Sequence, residues 1–167
     1  MMENLNNYNG FTPTDLQLLL NKDLEETLST LKLTKPNDDN KGTFQVFSQE
    51  LPFSLSIDAD DENNPVPYII TVIQEGNRDG DDPFVIKIGL VICIYNNSLD
   101  RSGHFDLLKV IQKLESRFGK NSYVGNFEVR NSFKFALQEV QPHPYYYGGV
   151  ILEFNAPRTT KEDSFYT

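Results

Sequence analysis

Two histidines, one cysteine and a run of carboxylates are the side chains of this sequence best suited to chemistry. His104 precedes Phe105-Asp106, and His143 stands between Pro142 and Pro144. A metal site needs paired Cys/His spacing, and ligands on one helical face recur three or four residues apart. Neither pattern occurs. Cys93 sits in the apolar run Val91-Ile92-Cys93-Ile94 with no neighbouring base to activate it, so it reads as a small buried hydrophobe. As the sole cysteine it has no internal disulfide partner, and a free thiol suits a reducing compartment. Asp58-Ala59-Asp60-Asp61-Glu62-Asn63-Asn64 offers oxygen ligands but lacks the turn glycine and terminal glutamate of a calcium loop. It reads as a solvated acidic loop. There is no Gly-x-Ser-x-Gly elbow and no phosphate-cradling glycine loop with a lysine. Gly148-Gly149 is too short for one and leads into a strand. Catalytic residues, metal ligands and cofactors are therefore all expected to be absent, and the chain is not expected to be an enzyme.

What remains is aromatic surface and backbone. In Gln141-Pro142-His143-Pro144-Tyr145-Tyr146-Tyr147-Gly148-Gly149 the prolines fix φ and forbid helix. The tyrosines and the glycine pair then feed an alternating strand. Tyr145, Tyr146 and Tyr147 suit a surface that docks on another protein, or ordinary half-buried packing along a strand. A second candidate contact is the turn region Gly76 to Asp82, with Asn77, Arg78, Asp79, Asp81 and Asp82. It is either a loop reaching a neighbour or a solvated hairpin tip. Phe165 and Tyr166 are a third, late in a polar terminal stretch.

The elements that must position these residues follow from periodicity. Thr12-Pro13-Thr14-Asp15 opens a helix: Thr12 caps it, Pro13 suits the first turn and Asp15 reaches back. Leu16, Leu20, Leu24, Leu28 and Leu31 continue one apolar stripe, predicting a helix over residues 12–33. Phe44 to Phe47 reads as a short or edge strand. Tyr68 to Ile73 is almost continuous in β-branched and aromatic residues, as in a strand covered on both faces. From Phe84 to Tyr95, Phe84, Ile86, Ile88, Leu90, Ile92 and Ile94 alternate with a smaller, still largely apolar set. Both faces are again expected to be covered over its middle. A second helix is predicted over 104–118, with Leu107, Ile111, Leu114 and Phe118 inward and Gly119 as its stop. Tyr123 to Arg130 and Phe133 to Glu139 read as strands joined tightly at Asn131-Ser132, and Tyr146 to Phe154 as the last strand. The fold class is α+β: a mostly antiparallel or mixed sheet flanked by two main helices, with sheet edges that need protection.

At 167 residues the chain is most simply one domain over 12–156, with polar arms at 1–11 and 157–167. Its 15 basic against 24 acidic residues give a formal charge of −9, which disfavours a phosphate-binding groove and sequence-specific nucleic-acid recognition. No signal-like segment or apolar run of membrane-spanning length is visible, so a cytoplasmic protein without a membrane partner is expected.

Three stretches, in this order, resemble the tail terminator (tail completion) family of tailed phages and phage-tail-like particles. They are Pro65-Val66-Pro67-Tyr68-Ile69-Ile70-Thr71-Val72-Ile73-Gln74-Glu75-Gly76; Val91-Ile92-Cys93-Ile94-Tyr95 leading through Gly103 to Phe105-Asp106-Leu107-Leu108; and Pro142-His143-Pro144-Tyr145-Tyr146-Tyr147-Gly148-Gly149-Val150. The resemblance spans about residues 12–155 and departs from the family pattern at His143, at the acidic stretch 58–64 and beyond Pro157. It implies a hexameric ring of identical copies at the head-proximal end of a tail tube, stopping tube polymerisation and offering a surface for neck or head joining. The implied partners are further copies of the chain, the tail tube protein, and a sheath or neck/connector protein, with DNA passing through the lumen. The implied location is the host cytoplasm during assembly and then the top of the tail. Contractile and non-contractile tails remain equally open. Two alternatives also stand: a neck or head-completion ring of the same particle, and a monomeric module that binds a peptide by strand addition.

Overall fold

In the computed structural model, residues 10–36, 38–55 and 61–157 are described. Helix α1 runs Pro13–Thr27 and opens with the expected capping box. The Thr12 hydroxyl accepts from the Asp15 backbone N–H, and the Asp15 carboxylate accepts from the Thr12 N–H at 3.0 Å. The helix stops at Thr27, short of the predicted residue 33. Its last turns carry Glu25 and Glu26 against the negative end of the helix dipole, with no basic residue to compensate. The Ser29 hydroxyl then donates to the Glu26 carbonyl at 2.8 Å, and Ser29 N–H bonds the same oxygen. Leu28 stays in the core as the C-cap, whereas Leu31 packs against the core from a turn.

The freed residues form a small antiparallel pair, β1 (Leu33–Lys35) and β2 (Asp38–Gly42). The main sheet contains β3 (Gln45–Ser48), β4 (Tyr68–Asn77), β5 (Val85–Tyr95), β6 (Tyr123–Val124), β7 (Phe127–Leu137) and β8 (Tyr145–Asn155). Its order is β3-β4-β5-β8-β7-β6, with β3 parallel to β4 and every other pair antiparallel. Helix α2 spans Gly103–Lys120 between β5 and β6. The class is α+β, and the short edge strand falls next to Phe44, where the sequence places it.

The hairpin predicted at Asn131-Ser132 does not exist. Residues 127–137 form one strand, irregular between Val129 and Phe133 where it pairs with β8. The tight turn lies earlier, between β6 and β7, at Gly125 with φ +57°. A glycine at positive φ costs little there, so Gly125-Asn126 turns the chain in preference to Asn131-Ser132.

Both helices lie on one face of the sheet. Leu16, Leu20 and Leu24 of α1 and Leu107, Val110 and Leu114 of α2 meet Ile86, Ile88, Leu90 and Ile92 of β5 and Val150, Leu152 and Phe154 of β8 in a single buried cluster. A polar graft ties α1 to β4 within this core. The Gln17 amide donates to the Thr71 carbonyl and to Gln49 Oε1, each at 2.9 Å, and the Thr71 hydroxyl donates to Asn21 Oδ1 at 2.7 Å. Every group in it is answered, as burial demands.

Candidate functional site

The strand register determines which residues share the other face. Ile70 opposes Val91, Val91 opposes Gly149, and Gly149 opposes Ala136, forming one row across four strands. Val72, Gly89, Ile151 and Lys134 form the next row. The sequence predicts that the middle of this sheet is covered on both faces. The structure bears this out at one end, where Tyr68 and Cys93 are buried, and corrects it over these two rows. Helices cover one face only, and among the described residues no element lies over these two rows. Val91 and Ala136 are exposed; Ile70, Val72 and Ile151 are half-buried. Because Gly89, Gly149 and Ala136 bring no bulk, the rows form a shallow, mainly apolar trough of about 700 Å³. The alternation misled because it records which side chains are apolar, and cannot say whether their cover comes from the same chain or another.

The trough continues to an open edge. The short β6 pairs only with Phe127 and Glu128 of β7. Beyond Val129, no described strand pairs with the outer rim of β7 as far as Leu137. Phe135 stands on this stretch, more than half exposed. Such an edge is a template for another strand.

The tyrosine run forms one end of the same face. Tyr146 points to the helix side and is buried. Its ring packs on Gly103, where a Cβ would come within 2.2 Å, and its hydroxyl lies 3.1 Å from His143 Nδ1. Tyr145 and Tyr147 point the other way and are half-buried. Tyr145 packs edge-on against Tyr95 at 5.5 Å, and its hydroxyl accepts from Asn64. Tyr147 joins Val66, Tyr68 and Cys93 in a small satellite core. Gln141 clamps the backbone of Tyr147, accepting from its N–H at 2.7 Å and donating to its carbonyl at 2.8 Å. Asn77, Arg78, Asp79, Asp81 and Asp82 are exposed at the β4–β5 tip, at the far end of the sheet from the tyrosines. Phe165 and Tyr166 lie outside the described residues. Thus the structure gathers Tyr145 and Tyr147 beside the trough and keeps the acidic tip apart. Sequence reading missed the residues that make the trough, Val72, Val91, Ala136 and Ile151. Their signal was present as the second apolar set of each strand.

Cys93 is fully buried. Burial pushes its thiol up to about 11, and pushes Tyr147 up to about 12 and Tyr68 higher still. The protonated forms belong to the fold, so this stabilisation is complete below pH 9 and declines as pH rises from about 9 through 11, while the unfolded chain ionises first. We expect the thiol to resist a disulfide reagent at pH 8 in the native protein and to react fully in urea. The urea midpoint should fall between pH 9 and 11, less steeply in Cys93→Ala. Ready native labelling at pH 8 would contradict the burial.

No group of three or more His, Cys, Asp or Glu is placed to hold a metal ion among the described residues. No helix among them is long and apolar enough to cross a membrane. The chain matches no protein-family model and no curated protein sequence.

Proposed function

We propose that this chain is a structural assembly protein of the tail terminator type: a ring-forming subunit that caps the head-proximal end of a tail tube and stops its growth. The observation that carries the reading is the apolar trough that the described residues leave uncovered, running into a rim of β7 that no described strand pairs. A lone soluble domain gains nothing from leaving Val72, Val91 and Ile151 partly in water, whereas a subunit whose second layer is another copy gains their burial on assembly. A ring requires a heterologous contact, so in this reading the trough and the β7 rim of one copy meet a different surface of the next. The motif order in β4, in β5 with α2, and in β8 supports the same reading.

A cap also needs a face that the next tube subunit cannot join. In this reading the helix side serves that purpose, no reacting group takes part, and the work is done by shape. The partners in this reading are further copies of the chain and a tail tube protein, with a sheath or neck protein above; six copies is the number that the resemblance implies. The open rim of β7 also favours one second reading, a monomer that captures a peptide by strand addition.

Deleting the gene and imaging the particles tests the proposal. The expected result is tubes of uncontrolled, excessive length, restored by the gene supplied in trans. Tubes of normal length that lack heads would assign the chain to the neck instead, and unaltered particles would remove it from the tail.

A further inference from the structure

The two histidines, far apart in sequence, line one pocket. It has a volume of about 540 Å³ and lies at the end of the sheet where β8 begins, lined by Arg101, His104, His143, Glu139 and Tyr146 among others. Arg101 makes no ion pair and no side-chain hydrogen bond among the described residues. His104 stacks on the exposed Phe105 at 4.1 Å. His143 uses Nδ1 on the Tyr146 hydroxyl, which leaves Nε2 for another partner. Glu139 is the one carboxylate lining the pocket. A guanidinium and two imidazoles around a single carboxylate form a receptor for anionic oxygen.

The opposite end of the sheet is acidic and could supply a carboxylate to the unpaired Arg101. The β4–β5 tip presents Asp79, Asp81 and Asp82 against Arg78 alone. The nearby cations are already occupied: Lys87 pairs with Glu75 and Arg130 with Glu153. Strand β8, 11 residues long, runs from the pocket end to the tip end. At about 3.3 Å per residue these ends lie roughly 35 Å apart, so a chain's own tip cannot fill its own pocket.

We propose that the pocket of Arg101, His104 and His143 receives the aspartates of the β4–β5 tip of a second copy. This rests on the ring-forming reading above and adds its polar contact: tip to pocket, repeated head to tail. Protein carboxylates fit better than nucleic-acid phosphate because Leu137 and the exposed Val140 line the pocket beside its polar groups, and because Arg101 is the one lysine or arginine lining it, whereas phosphate binding needs such side chains clustered.

Charge reversal tests the pairing. Arg101→Glu alone and Asp81→Lys/Asp82→Lys alone should each raise the concentration for half-assembly at least tenfold, measured by light scattering with the tube protein present. Their combination in one chain should restore it, and the single-site losses should shrink as salt is raised. All these positions are exposed, so circular dichroism should confirm an unchanged fold. If the reversals act no more strongly than Lys109→Glu, or weaken assembly without rescue by the combination, the inference falls and the ring remains. A wild type that stays monomeric even with tube protein removes both. If wild type binds a fluorescent DNA duplex and Arg101→Glu abolishes that binding, the pocket takes phosphate and the inference falls.

Discussion

Val91→Glu is expected to abolish assembly while leaving the subunit folded. Val91 is 38% exposed in the middle of the trough, in the row Ile70, Val91, Gly149, Ala136. In an isolated subunit the new carboxylate reaches water, so folding stability should change by no more than about 1 kcal/mol, the span of strand propensities. In an assembled ring the same carboxylate is trapped in a mainly apolar contact whose one lining cation, Lys134, stands in the next row two strands away, and burying a charge without a close partner costs several kcal/mol. The penalty recurs at every contact round the ring. Association should weaken at least about 100-fold, the size of a hot-spot loss of 2–3 kcal/mol. Val91→Ile, apolar and uncharged, should assemble far better than Val91→Glu. The paired measurements are light scattering for mass and thermal unfolding for the subunit; equal mass in Val91→Glu and wild type would show that the trough is not a contact.

Asp23→Ala is expected to produce the largest loss of subunit stability among single polar changes. Asp23 on α1 holds Arg117 of α2 in a two-pronged ion pair, with Nε to Oδ1 at 2.9 Å, and both side chains are about four-fifths buried. Arg117 also donates to the carbonyls of Asn121 and Tyr123 and lies against the Phe118 ring. It therefore fastens α1, the end of α2 and the start of β6 at one point. Breaking a fully buried pair costs about 3–5 kcal/mol, and partial exposure lowers this to about 2–3 kcal/mol. The urea midpoint should fall by about 1 M for an ordinary slope of 2–3 kcal/mol/M. Removing both partners, as in Asp23→Leu with Arg117→Met, should recover much of the loss, because no charge is then left buried alone. A midpoint unmoved by Asp23→Ala would mean that the pair contributes nothing to the fold.

Much of the scaffold was legible where a pattern is local. The Thr12–Asp15 box marked the start of α1, and Gly76 to Asp82 marked the bend between β4 and β5. The alternation from Ile86 to Ile94 identified the buried side of β5 correctly. Patterns failed where two local signals compete. Leu28 and Leu31 kept helical spacing after Ser29 had taken the Glu26 carbonyl, and Asn131-Ser132 looked like a turn although Gly125 supplied a better one. The surface was harder to read. Apolar alternation does not distinguish a face covered within the chain from one left open. Nor does spacing along the chain bring His104 and His143 together, because their meeting depends on α2 crossing the start of β8. The three adjacent tyrosines show the same limit. Strand pleating sends Tyr146 into the core and Tyr145 and Tyr147 to the other side, a division that their sequence alone leaves symmetric.

The central claim is that the open trough of this sheet is completed by other copies of the chain. Its most direct test is the solution mass of the wild-type protein, measured by light scattering across a concentration series, alone and with tube protein. A closed oligomer of fixed size, six copies by the resemblance, is the predicted result. A single subunit mass at every concentration and in both mixtures would contradict it.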